Sequence, residues 1–173
     1  LLNEVSRLGI ILDVTHLSEP SFWEVMNSYE GPVWASHHNC RSLVEDPRQL
    51  SDEQIKALID RGSVIGSAFD AWMLSPNWIR GKSTPLGHEV YIKNVVDHID
   101  HICQIAGNSN HCGIGSDLDG GFGTEQSPCD LDTIADIHSL NEILGNRGYS
   151  NNDVDAIMNG NFISFCAKYL PAG

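Results

Sequence analysis

The sequence predicts an α/β fold of about four strand–helix units, half the complement of a TIM-like (β/α)8 barrel. Three observations predict it. Short apolar runs bounded by turn residues alternate with segments of helical periodicity, the pattern of a parallel sheet with helices packed outside it. The chain has 173 residues, about one average domain, whereas a full (β/α)8 barrel takes ~250. Neither an internal repeat nor a low-complexity linker divides it, so residues 1–173 are read as a single partial domain.

Leu1, Val5 and Leu8 fall on one helical face and Gly9 suits a C-terminal cap, so the chain opens inside a helix. With no initiator Met, that opening predicts a fragment of a longer protein. "GIILDV" follows as a buried parallel strand, ending in Thr15-His16. Ser18-Glu19-Pro20 starts a helix through about Ser28, with proline tolerated in its first turn. "PVWAS" is the second strand and runs into His37. Ser51-Asp52-Glu53-Gln54 is a capping box ahead of Ile55, Leu58 and Ile59, and Gly62 closes that helix. "SVIGSAF" is the third strand. A polar loop from Ala71 to about His88 leads to a helix over Val90–Ala106. "HCGIGSDLDGG" supplies the fourth strand and a glycine-rich exit, before helices around Ile134–Leu144 and from Ser150 to Leu170.

Composition excludes several roles. Hydrophobic residues make up 41% and mean hydropathy is −0.18, as in ordinary soluble globular proteins. Ten Lys+Arg against 23 Asp+Glu leave a net charge of −13. Nucleic acid and anionic membranes both need a basic footprint, so neither is expected as a partner. No apolar run approaches the ~18–20 residues of a membrane-spanning helix, and Leu1-Leu2-Asn3-Glu4 is no signal peptide. The compartment stays open, the cytoplasm included. Five scattered cysteines without a Cys-x-x-Cys read as reduced thiols.

Chemistry concentrates at the strand ends. His16 ends the first strand, His37 the second and Asp117 the fourth, with Asp70 beyond the third. Barrels of this kind carry their catalytic groups at these ends. Neutral imidazoles and carboxylates are what a hydrolytic Zn2+ binds, with one position left for water. A lone histidine there is more often ordinary loop chemistry, but two histidines and an aspartate at successive strand ends leave a metal site and structural turns as even alternatives.

Three long motifs, in order, carry a resemblance. "RLGIILDVTHLSEPSFWEV", "PVWASHHNCRSLVEDPRQLSDEQI" and "VVDHIDHICQIAG…HCGIGSDLDG" resemble the fifth, sixth and eighth strand regions of the membrane dipeptidase (renal dipeptidase) family of zinc peptidases. The likeness covers nearly the whole chain and implies the C-terminal half of the barrel. It implies zinc-dependent hydrolysis of dipeptides at a two-zinc site bridged by a glutamate and a water. His16 and His37 match the two histidine ligands of one zinc. Asp117 matches the aspartate that handles the catalytic water's proton and meets the substrate amine. Arg48, eleven positions past His37, matches the arginine that grips the substrate's terminal carboxylate, a task that suits a planar, bidentate guanidinium. Two Zn–N bonds of ~2.0–2.1 Å place both ligand nitrogens roughly 3–4 Å apart.

Other candidates take plainer readings. His38 has no family role and is read as a loop residue or a support for its neighbours. Asp13 is structural or supports the site from behind rather than binding metal, and Asp119 with Gly120-Gly121 shapes the loop. His98 and His101, at i and i+3, pack, Asp70 lines the pocket, and the four tryptophans belong to core and barrel wall. The family's His-x-Asp motif, bridging Glu and a further catalytic His have no counterpart here, which implies that the isolated chain is inactive. Ser164 stands where many relatives carry Arg. A homodimer is left open. The rival readings are another amidohydrolase-type enzyme, such as a lactonase or cyclic amidase, and a non-catalytic barrel fragment.

Overall fold

In the computed structural model, which describes residues 1–170, the strands run parallel and pair in chain order. β1 (Leu12–Asp13) pairs with β2 (Val33–Trp34), and β3 (Ile65–Ser67) with β4 (Cys112–Ile114). A parallel bridge between Ala35 and Ile65 joins the two pairs. Ala35 N–H donates to the Val64 carbonyl there, and Gly66 N–H donates to that of Ala35. The fold is mixed α/β, with helices between successive strands.

α1 (Leu2–Arg7) precedes β1, and α2 (Glu19–Ser28) and α3 (Asp52–Asp60) follow β1 and β2. Ser18 caps α2 by accepting from Ser21 N–H, with Pro20 in the first turn. At α3 the box is complete: Ser51 Oγ accepts from Gln54 N–H, and Gln54 Oε1 accepts from Ser51 N–H at 2.9 Å. α4 (Ala71–Leu74) and α5 (Ile92–Ala106) lie between β3 and β4. α6 (Ser139–Asn146), α7 (Asn151–Asp155) and α8 (Asn161–Tyr169) complete the chain.

Several elements differ from the sequence expectation. α1 stops at Arg7, so Leu2 and Val5 pack against the core while Leu8 is exposed. The polar loop begins with α4, because the Asp70 carboxylate accepts from Trp72 N–H. α5 starts at Ile92, where Asp130 from 38 positions away accepts from the Ile92 N–H at 2.8 Å. The segment around Ile134–Leu144 divides into a 3-10 turn (Ile134–His138) and α6.

One apolar core lies between strands and helices. Val95, Ile99 and Ile102 form a stripe on α5 and are fully buried, as are Ile65 of β3, Leu140 and Leu144 of α6, and Ile157. Each such side chain contributes about 1.5–3 kcal/mol by leaving water. At the carboxyl ends the backbones close in further. A Cβ on Gly66 would sit 2.1 Å from the Ser36 carbonyl oxygen, and one on Gly115 only 1.9 Å. Only glycine permits that approach, and it holds the Ser36-His37 turn against β3 and β4.

Candidate active site

His16 and His37 follow the ends of β1 and β2, and one carboxylate ties their turns together. Asp13 Oδ1 accepts from Thr15 N–H at 2.9 Å and from Ser36 N–H at 3.1 Å. Ser36 Oγ in turn lies 2.8 Å from His37 Nδ1. The Nε2 atoms of His16 and His37 meet at 3.0 Å, with the rings edge to face. His16 has φ +67° and Asp117 φ +59°, in the left-handed region that side-chain-bearing residues rarely adopt. Partial desolvation, then the nearby Arg48 and His37, hold the His16 imidazole below the ordinary histidine range. A neutral His16 keeps a nitrogen lone pair to offer.

Asp117 stands on the turn after β4, with Oδ1 3.9 Å from His37 Nε2. Gly120 N–H donates to the Asp117 carbonyl, and a Cβ on Gly120 would sit 2.7 Å from Asp117 Oδ1. The glycine turn thus leaves the carboxylate its space. Arg48 enters from the loop before α3. Its Nη2 donates to the His37 carbonyl at 3.1 Å, and its backbone N–H to Asp46 at 2.7 Å. Nη1 lies 2.9 Å from His38 Nδ1 and 3.1 Å from Nε2, and donates to whichever is unprotonated. Burial, then Arg48, keeps His38 far below the ordinary range and therefore neutral. Burial also lowers Arg48 somewhat, but a guanidinium remains cationic.

His16, Arg48 and Asp117 line one cleft of about 470 Å³ together with Asp70, Trp72 and Gln126. His37 faces an adjoining hollow that shares His16 and Asp117. Asp70 is buried, and burial raises its carboxyl although Gln126 Nε2 donates to it at 2.9 Å. Trp72 therefore sits at the cleft rather than in the core, with the Arg80 guanidinium 4.7 Å above its ring. His98 is buried and accepts from Cys40 N–H at 3.0 Å, while His101 reaches Asp52 at 2.8 Å; both brace α5.

The sequence marks His38 only as a loop residue or a support without pointing to Arg48, and it does not mark Ser36 as the partner of His37. Their adjacency to His37 was the available signal, but sequence does not show which way a side chain turns.

Among the described residues no group of three or more His, Cys, Asp or Glu side chains is arranged to hold a metal ion. The donor set fits zinc in part. Two imidazoles with converging Nε2 atoms supply two ligands, and no third donor lies equally close. Among the same residues no helix is long and apolar enough to cross a membrane.

Strands paired in parallel, with imidazole, carboxylate and guanidinium gathered at their carboxyl ends, define an α/β protein of the type that places its functional site on that face. The chain belongs to the membrane dipeptidase family, peptidase family M19, whose profile matches residues 1–168. It is 31% identical over 163 residues to an uncharacterized Klebsiella pneumoniae protein in the pqqA 5' region, covering 94% of this chain and 56% of that one. To human dipeptidase 3 it is 26% identical over 163 residues, covering 94% of this chain and 30% of that one. The fold matches a Rhodobacter sphaeroides metallopeptidase solved with a phosphinate mimic of L-Ala-D-Ala. That match has TM-score 0.81 and 23% identity, and covers 97% of this chain and 45% of that one. A crystal structure of a family M19 dipeptidase AC gives TM-score 0.84 at 23% identity, covering 99% of this chain and 47% of that one. The chain thus spans roughly a third to a half of the length of most of these relatives.

Proposed function

We propose that these residues form the C-terminal half of a (β/α)8 barrel and serve zinc-dependent hydrolysis of dipeptides. The observation that carries this reading is the 3.0 Å approach of His16 Nε2 to His37 Nε2 beside Asp117 and Arg48. In it His16 and His37 hold one zinc of a two-zinc site. Zinc supplies a Lewis acid there and makes water acidic near neutral pH.

This chain's own groups do the rest. Asp117 takes the proton of the attacking water and returns it to the leaving amine. Arg48, held by the His37 carbonyl and the neutral His38, keeps its remaining N–H groups for the substrate carboxylate. Two imidazoles and one carboxylate are fewer donors than two zinc ions take, so activity belongs to the longer protein and the isolated chain is inactive.

The test is hydrolysis of dipeptides against their C-terminal amides by the longer protein that carries these residues, with its zinc content measured alongside. Dipeptides should be cleaved, amides poorly, by zinc-loaded protein. Turnover of lactones or cyclic amides in place of dipeptides, or protein without stoichiometric zinc, would sink the reading.

A further inference from the structure

Away from the strand-end cleft, two free cysteines face each other. Cys103 lies in the last turns of α5 and Cys112 opens β4, and their sulfurs are 3.3 Å apart although the residues are nine positions apart in the chain. This is a non-covalent contact: a disulfide needs ~2.05 Å, so the sulfurs have about 1.3 Å to close. The left-handed Gly107 turn at the end of α5 brings the helix back onto the strand.

The two thiols differ in access. Cys112 is wholly enclosed, whereas Cys103 is 6% exposed. Cys103 lines a surface cleft of about 370 Å³ with Gln104, Ser109, Tyr149 and Asp153. They differ in acidity too. Donation from Cys112 pulls the Cys103 thiol below its ordinary value against its burial, with help from Tyr149. The same donation, with burial, pushes Cys112 well above its ordinary value. An outer nucleophilic sulfur backed by an inner resolving thiol is the arrangement that thiol–disulfide exchange uses. The third buried cysteine, Cys40, is engaged elsewhere, its Sγ donating to the His98 carbonyl at 3.5 Å.

We propose that Cys103 and Cys112 are a modification site, a dithiol that small disulfides of the glutathione class convert into a reversible intrachain disulfide. The Cys103 thiolate attacks one sulfur of the small disulfide, forming a mixed disulfide and releasing one small thiol. Cys112 then loses its proton and attacks the Cys103 sulfur, closing the protein disulfide and releasing a second small thiol. Two electrons pass from the protein to the reagent, and both protein thiol protons end on the released thiols. The link tethers α5 to the start of β4, the strand that leads to Asp117. It does not depend on the dipeptidase reading.

The folded protein would be incubated with oxidised glutathione, acid-trapped, alkylated and mapped by mass spectrometry. A Cys103–Cys112 linked peptide, lighter by two hydrogens and restored by dithiothreitol, is the expected result. Cys112→Ala should accumulate glutathione on Cys103, because the resolving thiol is gone. The wild-type map decides even if that variant folds poorly. Both cysteines still free after Cys129 and Cys166 have reacted, a link from Cys112 to Cys40, or a link formed only in denaturant would overturn the proposal.

Discussion

His16 and His37 stand 21 residues apart in the chain, and their Nε2 atoms meet at 3.0 Å. In this state one nitrogen donates to the other. A zinc ion would take both lone pairs instead, so the pair should bind metal more tightly than either histidine alone. Titration with Zn2+ should show affinity falling at least about tenfold in His16→Ala and in His37→Ala. Unchanged affinity in both would remove them as ligands.

Ser36 should set the tautomer of His37. Its hydroxyl at 2.8 Å from Nδ1 can accept the Nδ1 proton and so leave Nε2 free. Ser36→Ala is expected to weaken zinc binding by about 10–100-fold, the usual worth of a group that orients a metal-binding histidine. Thermal stability should change little. Zinc titration and a melt distinguish this from a general loss of folding.

Arg48→Lys, in catalytically competent protein, should raise KM more than it lowers kcat. The clamp holds the carboxylate in ground and transition states alike, and an ammonium lacks the planar fork. Steady-state kinetics on one dipeptide checks this; an unchanged KM would show that Arg48 does not hold substrate.

Asp117→Asn keeps the shape of the side chain and removes its basicity. If Asp117 carries the proton, turnover should fall by roughly 10²–10⁴-fold while zinc and dipeptide still bind. Full zinc with near-native kcat would instead leave Asp117 bracing the glycine turn. Lost zinc would make it a ligand.

His98 predicts acid sensitivity. Burial, with a smaller effect of His101, depresses its pKa to about 3. The unfolded chain therefore binds a proton that the folded chain refuses between about pH 6.5 and pH 3. Stability is full above that window and should decline by up to about 1.4 kcal/mol per pH unit as pH falls through it. Urea unfolding between pH 7 and pH 4 measures the slope. His98→Asn, which can still accept from Cys40 N–H, should reduce the slope and leave the share of the buried, neutral His38.

Much of the local structure was legible because its causes are local. Ser18 and Ser51 cap the helices they precede, and Gly9 and Gly62 take the positive φ that follows α1 and α3. The start of α5 was not legible in this way. Asn94 accepts from the N–H of the capping residue Tyr91, but the Ile92 N–H goes to Asp130, and nothing near Ile92 announces a partner 38 residues away. The site divides similarly. His16, His37, Arg48 and Asp117 stood out from their motifs, and the structure gathers them at one edge of the sheet. The support that His38 lends Arg48 depends on a rotamer and a loop path.

By itself the sequence determined the alternation of strands and helices, the family and the positions of the polar residues at the strand ends. Periodicity, capping and motif spacing are properties of neighbouring residues, and a single chain displays them directly. Tertiary structure alone decided that Asp13 ties two turns together, that glycines at 66 and 115 admit the Ser36 carbonyl, and that Cys103 meets Cys112. Those relations depend on strand register and on the close approach of backbones, which are settled when separate segments pack.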